Sequence, residues 1–205
     1  MNSVRSSRYA GIILASQSPR RQQLMEQMGV AFRVQASNMP EMPSMGERPN
    51  AFAVRMALEK AVKVGENQPD FLVIGADTVV AIGDQILGKP KSRQEAAMML
   101  SQLSKQWHEV WTGICVYCRA QNIQINRAAC TEVCFRELPM DEIEAYVATG
   151  EPDDKAGSYA IQGEAKKFVR EIRGSYHNVI GLPTIELGKI LYELGVLEAP
   201  SNYGC

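Results

Sequence analysis

The run Ser16-Gln17-Ser18-Pro19-Arg20-Arg21 places two hydroxyls and two guanidiniums directly behind an apolar segment, residues 11–15. Ser18 followed by Pro19 has the form of a helix start: a serine cap, then proline in the first turn, where a missing N–H costs nothing. The next positions favour acids, because a helix N-terminus carries partial positive charge. Arg20 and Arg21 stand there instead. One reading sends both into water, in surface pairs such as Arg21 with Glu26. The other makes the junction an anion site, in which backbone N–H groups and the Ser16 or Ser18 hydroxyl hold phosphate oxygens and the arginines add bidentate contacts. On that second reading both arginines face a ligand, and removing either leaves the ligand-free protein no less stable.

Asp77 ends the apolar run "FLVIGA" and is followed, after Thr78, by "VVAI". A carboxylate in such a segment is costly unless paired, hydrogen-bonded or metal-bound. It is either a turn aspartate bonded to nearby backbone or a general base or metal ligand lodged mid-sheet. An unperturbed aspartate, with a pKa of about 3.9, is a weak base for free water but can serve water acidified by a divalent metal. Glu41 in a proline-rich loop, Lys60 in "LEKA" and Lys89 before Pro90 complete the set. Carboxylates with several cations suit a metal–phosphate substrate, although Lys60 alone reads as part of a solvated helix face. Gln162 ends the segment "EPDDKAGSYAIQ". Its amide can read a base edge as donor and acceptor; alternatively the segment is a structured turn with Asp154 and Lys155 paired.

These residues need a frame. The chain has 205 residues, 45% of them hydrophobic, which fits one domain or a compact two-lobed one with a real core. A net charge of −1 gives no electrostatic footprint for a nucleic-acid polymer or an acidic membrane. The pattern predicts a buried strand at 11–15, a helix over 19–28 stopped by Gly29, a strand at 31–36, a long loop, a helix over 50–64 and a central strand through "GADT". A hairpin turn at "GDQ" follows, then a helix with Ser92 and Glu95 as a capping box, paired strands at 108–118 and 123–135, and helices from "MDEIEAYVATG" and "GLPTIELGKILYELG". Alternating strands and helices followed by a late hairpin favour a three-layer α/β fold with a mixed sheet. The loop near residue 40 is a candidate boundary between two lobes.

Five cysteines without a secretory signal suggest free thiols in a reducing compartment, hence a cytoplasmic protein. Cys115-x2-Cys118 and Cys130-x3-Cys134 have zinc-like spacing, but Cys115 and Cys118 in a strand face opposite sides. No stretch is long enough to span a membrane. Neither a P-loop nor a Rossmann fingerprint is present.

In order, "LASQSPRRQQLMEQMGV", "VIGADTVV", "ILGKP", "EPDDKAGSYAIQG" and "SYHNVIGLP" resemble the Maf family of nucleoside triphosphate pyrophosphatases, over nearly the whole chain. The resemblance implies an inosine-triphosphate-pyrophosphatase-like fold: a long mixed sheet with helices on both sides and two lobes around a cleft. It also implies a homodimer, a divalent cation such as Mg or Mn, and hydrolysis of a nucleoside triphosphate to the monophosphate and pyrophosphate. Carried over by position, the proton acceptor falls on Asp77, the loop carboxylate on Glu41, and both serve as metal ligands. Phosphate-binding residues fall on Arg20, Arg21, Lys60 and Lys89, and positions tied to base choice on Arg20, Thr78 and Gln162. "SPRR", "GADT" and "IQG" together resemble the branch that prefers dTTP and UTP. Three positions depart from the family pattern. Pro40 stands where many members carry a second carboxylate, and Lys105 and Ala160 stand where glycines are usual. The rival readings are a nucleotide-binding regulator of cell division and septum formation with little turnover, and a structural domain with an empty cleft.

Overall fold

The computed structural model describes residues 8–198. In chain order the elements are β1 (Ile12–Leu14), α1 (Pro19–Gln27), β2 (Arg33–Val34), α2 (Pro49–Gly65), β3 (Leu72–Ile82), β4 (Gln85–Leu87), α3 (Arg93–Leu103), β5 (Trp107–Cys118) and β6 (Ile123–Phe135). They continue with α4 (Met140–Ala148), β7 (Val169–Arg173), α5 (Tyr176–Ile180) and α6 (Thr184–Glu193), with 3₁₀ turns at Glu151–Asp154, Ala156–Ser158 and Glu164–Phe168. The strand β7 and the short helix α5 carry no strong periodicity in sequence. Ser18 caps α1 through the Arg21 N–H, as its position before Pro19 requires. Ser92 caps α3, but Glu95 turns to the Lys91 N–H at 2.7 Å rather than to the cap itself, so the box is displaced by one residue.

All seven strands form one mixed sheet in the order β2-β1-β3-β5-β6-β7, with β4 also paired to β3. The strands β2, β1 and β3 run parallel, while β3, β5, β6 and β7 are antiparallel neighbours. Helix α2 covers one face through two small clusters built on Phe52, Ala53, Met56, Ala57, Ala61 and Val64. The larger core, on the other face, includes residues of α1, α3, α4, α5 and α6. Cys115 belongs to the α2 side and Cys118 to the opposite core, so strand alternation separates them as expected.

Two glycines decide how closely α2 lies on the sheet. A Cβ at Gly75 would come within 2.1 Å of the Ala57 carbonyl oxygen, and one at Gly113 within 2.3 Å of that of Ala53. The glycine of "GADT" therefore brings the α2 backbone down onto β3. Lys105 has φ 59°, in the left-handed region, which is why a glycine suits that position better. No helix among the described residues is long and apolar enough to cross a membrane.

The site is positioned by a gap along one edge of β3. Its far edge pairs with β5 over residues 73–81. Its near edge pairs with β1 only at residues 72–74 and with β4 only at residues 80–82. Residues 75–79, containing Asp77 and Thr78, lie where β1 has ended and β4 has not begun. This is the carboxyl end of a parallel pair, the usual crevice of open α/β sheets.

Candidate active site

A cleft of about 540 Å³ opens at this gap. Its walls take Ser16 to Arg21 from the β1–α1 junction, residues 37–39 and Glu41 from the long loop, Lys60 from α2, and Asp77 and Thr78 from β3. Lys89 and the stretch 154–156 complete the polar side. The loop expected to separate two lobes thus forms one wall of the cleft. Arg20, Arg21, Lys60, Lys89 and Lys155 face only three carboxylates here, those of Glu41, Asp77 and Asp154. That excess positive charge favours a polyanion.

Because residues alternate along β3, Asp77 points to the α2 face. Lys60 is on the buried face of α2, 6% exposed, and not on a solvated face. Its Nζ donates to Asp77 Oδ1 at 2.6 Å and to Glu41 Oε1 at 2.5 Å. Lys89 Nζ donates to Glu41 Oε2 at 3.0 Å. Burial raises the Asp77 pKa above the usual aspartate value and prevails over Lys60 and Arg21, which pull it down. For Glu41 burial also pushes upward, but Lys60 and Lys89 prevail and hold it at about 2. The two carboxylates are thereby differentiated: the lysines favour the ionised form of Glu41, and burial disfavours that of Asp77.

Glu41 is depressed from 4.5 to about 2, so its contribution is present above pH 4.5 and is lost as pH falls toward 2. Asp77 works in the opposite direction, since its ionised form is the one burial disfavours. In urea melts of the metal-free protein, the stability difference between wild type and Glu41→Gln is expected to shrink between pH 4.5 and 2. A constant difference down to pH 2 would show that the lysine pairing does not support the fold.

Arg21 and Arg20 differ sharply. Arg21 Nε donates to the Gly181 carbonyl at 2.8 Å, Nη1 to Ser16 Oγ at 3.2 Å and Nη2 to Thr78 Oγ1 at 3.0 Å. It joins α1, β3 and the end of α5, where backbone carbonyls attract a cation. Both arginines line the cleft, but the expectation that removing Arg21 leaves the ligand-free protein no less stable is corrected by these three bonds, and so is its pairing with Glu26. Arg20 lines the cleft and makes no hydrogen bond or ion pair among the described residues. Arg21→Ala should lower the stability of the ligand-free protein by about 1–3 kcal/mol, whereas Arg20→Ala should not. Thermal melts without nucleotide check this, and equal melting temperatures would contradict the role of Arg21. Ser16 Oγ accepts from both Arg21 and the Ser18 N–H, which leaves its proton for a phosphate oxygen.

Thr78 faces the opposite side from Asp77. There the cleft becomes apolar, walled by Val80, Val110, Tyr159, Ile161, Val179 and Ile180. No sequence motif singled these residues out, since each reads as ordinary core. Tyr159 is fixed from behind by His108, whose Nε2 lies 2.8 Å from the phenol oxygen. Burial pushes His108 down to about 4, so the ring is neutral at pH 7. Gln162 is exposed and does not line the cleft, although Tyr159 to Ile161 do. It is the one expected site residue that the fold leaves outside. Asp154 and Lys155 form an ion pair at the rim.

No group of three or more His, Cys, Asp or Glu converges to hold a metal among the described residues. Apart from Asp154, which pairs with Lys155 at the rim, the carboxylates at the cleft are Glu41 and Asp77. Two carboxylates fit a hard divalent cation that retains waters and takes further oxygens from substrate phosphates.

A family model described as Maf-like protein matches residues 11–194. A protein of Geobacter sulfurreducens named dTTP/UTP pyrophosphatase is 47% identical over 186 residues, 91% of this chain and 97% of its own length. Proteins of the same name from Desulfotalea psychrophila and Bacillus thuringiensis are 45% and 44% identical, covering 91% and 90% of this chain and each 96% of their own length. With a match spanning every element from β1 to α6, the chain belongs to the Maf family.

Proposed function

We propose that this protein hydrolyses dTTP and UTP to the monophosphate and pyrophosphate. The observation that carries the proposal is the division of the cleft at β3. Asp77 faces cations and a second carboxylate on one side, and Thr78 faces an apolar pocket on the other. That arrangement accepts a polyphosphate at one end and a flat base at the other. The names of the relatives give the substrate class.

Arg20, Lys89 and the Ser16 hydroxyl bind phosphate oxygens, and Lys60 orients the acceptor. Lys60 occupies Asp77 Oδ1. The other oxygen, Oδ2, has no hydrogen-bond partner among the described residues, which leaves it to take the proton of a water attacking the α-phosphorus. The bond between the α and β phosphates breaks, and pyrophosphate leaves with its charge held by the basic side chains. A divalent cation, Mg or Mn, held by Glu41 and Asp77 would supply charge neutralisation and a more acidic water.

The test is a panel of nucleoside triphosphates with magnesium or manganese, scored for monophosphate and pyrophosphate. UTP and dTTP should lead. Inorganic phosphate as the first product would overturn the bond assignment, and no turnover of either nucleotide would overturn the function.

A further inference from the structure

Thr78 is the half-buried polar group on the floor of the apolar half of the cleft. A threonine hydroxyl has one proton and two lone pairs, and neighbouring side chains account for all but one of these. Arg21 Nη2 donates to Thr78 Oγ1 at 3.0 Å, and a guanidinium has no acceptor to offer in return. Thr112, the register partner of Thr78 on β5, has its hydroxyl 2.9 Å from that of Thr78 and 3.0 Å from the Asn178 main-chain oxygen. A carbonyl only accepts, so the Thr112 proton goes to Asn178. The Thr78 proton must then go to Thr112. The reverse order would set a Thr112 lone pair against the carbonyl. Thr112 and Asn178 are both 0% exposed, so bulk water cannot re-route the chain. Thr78 therefore turns one lone pair, and no donor, toward the cleft.

We propose that Thr112 is a specificity-determining positioning residue: it draws the Thr78 hydrogen away from the cleft and leaves Thr78 an acceptor that selects bases presenting a ring imide N–H. The proposal rests on the pyrophosphatase reading above and deepens it. Uracil and thymine both carry that N–H between two carbonyls. Cytosine carries a bare lone pair at the same ring position, which would face the lone pair of Thr78. The two accepted bases differ by one methyl group, which an apolar wall distinguishes only weakly, whereas a missing donor leaves a polar group unpaired. Thr112 touches no substrate atom, and its effect passes through Thr78.

The experiment measures kcat/KM for UTP, dTTP and CTP with wild type, Thr112→Val and Thr112→Ser. The valine variant frees the Thr78 proton to swing into the cleft, so the UTP-to-CTP ratio should fall about tenfold, the worth of one hydrogen bond. The serine variant keeps the chain of donors and should restore the ratio. If Thr112→Val does not fold, Thr112→Ala carries the same expectation. A purely structural role would lower both substrates together. An unchanged ratio in the valine or alanine variant, or an equal fall in the serine variant, overturns the proposal while leaving the pyrophosphatase reading intact. Wild type that turns over neither UTP nor dTTP overturns both.

Discussion

Asp77→Asn is expected to lower kcat for UTP about 10²- to 10⁴-fold, the usual contribution of a positioned base. The substitution keeps the shape of the side chain, and the amide oxygen can still accept from Lys60. What disappears is the acceptor for the water proton on Oδ2. Two features of the fold make this carboxylate suited to the work. It is 5% exposed, so burial raises its pKa and its basicity with it. It also sits on the stretch of β3 that neither β1 nor β4 covers, so a ligand can approach it edge-on. Single-turnover rates and nucleotide affinity, measured together, separate chemistry from binding. Wild-type turnover in the variant would remove Asp77 from the mechanism.

Lys60→Met should act on stability and activity at once. It retains an unbranched side chain on the buried face of α2 but leaves Asp77 and Glu41 without their shared cation. Breaking a buried ion pair by removing one partner typically costs about 3–5 kcal/mol. The lower end applies here, because Lys89 still holds Glu41 and Asp77 can take up a proton. That escape sets a direction with pH. The loss should be smaller in acid, where protonation of Asp77 is favoured, and larger above neutrality. Turnover should also fall, since Asp77 loses the partner that orients it and favours its ionised form. Urea denaturation at about pH 5.5 and about pH 8 checks the first expectation. Equal losses at both values would mean that Lys60 serves packing rather than charge.

Both variants test groups that the sequence singles out, although for Lys60 the local sequence also allows a solvated helix face, which burial excludes. In "LEKA" it reads as a solvated lysine. Its burial depends on Gly75 and Gly113, which let α2 settle onto the sheet and carry Lys60 to Asp77. Those contacts join residues far apart in the chain, and no local periodicity encodes them. Arg21 was selected for its unfavourable place beside a positive helix end. Its answer came from Gly181, 160 positions away, whose carbonyl accepts from Nε.

The sequence by itself determined the alternation of strands and helices, the Ser18 and Ser92 caps, the separation of Cys115 from Cys118, and a carboxylate in the middle of an apolar strand. Each depends on residues within one or two turns of each other, where sterics, hydrogen-bond satisfaction and side-chain period act locally. Only the tertiary structure decided that β3 would be bare between β1 and β4, that Lys60 would be buried, that Arg21 would brace the fold while Arg20 lines the cleft without a hydrogen bond among the described residues, and that Gln162 would lie outside the cleft. These outcomes depend on which edges pair and how closely α2 approaches. Both are settled by long-range packing, in which a single missing Cβ at Gly75 sets the distance between a lysine and the carboxylate it serves.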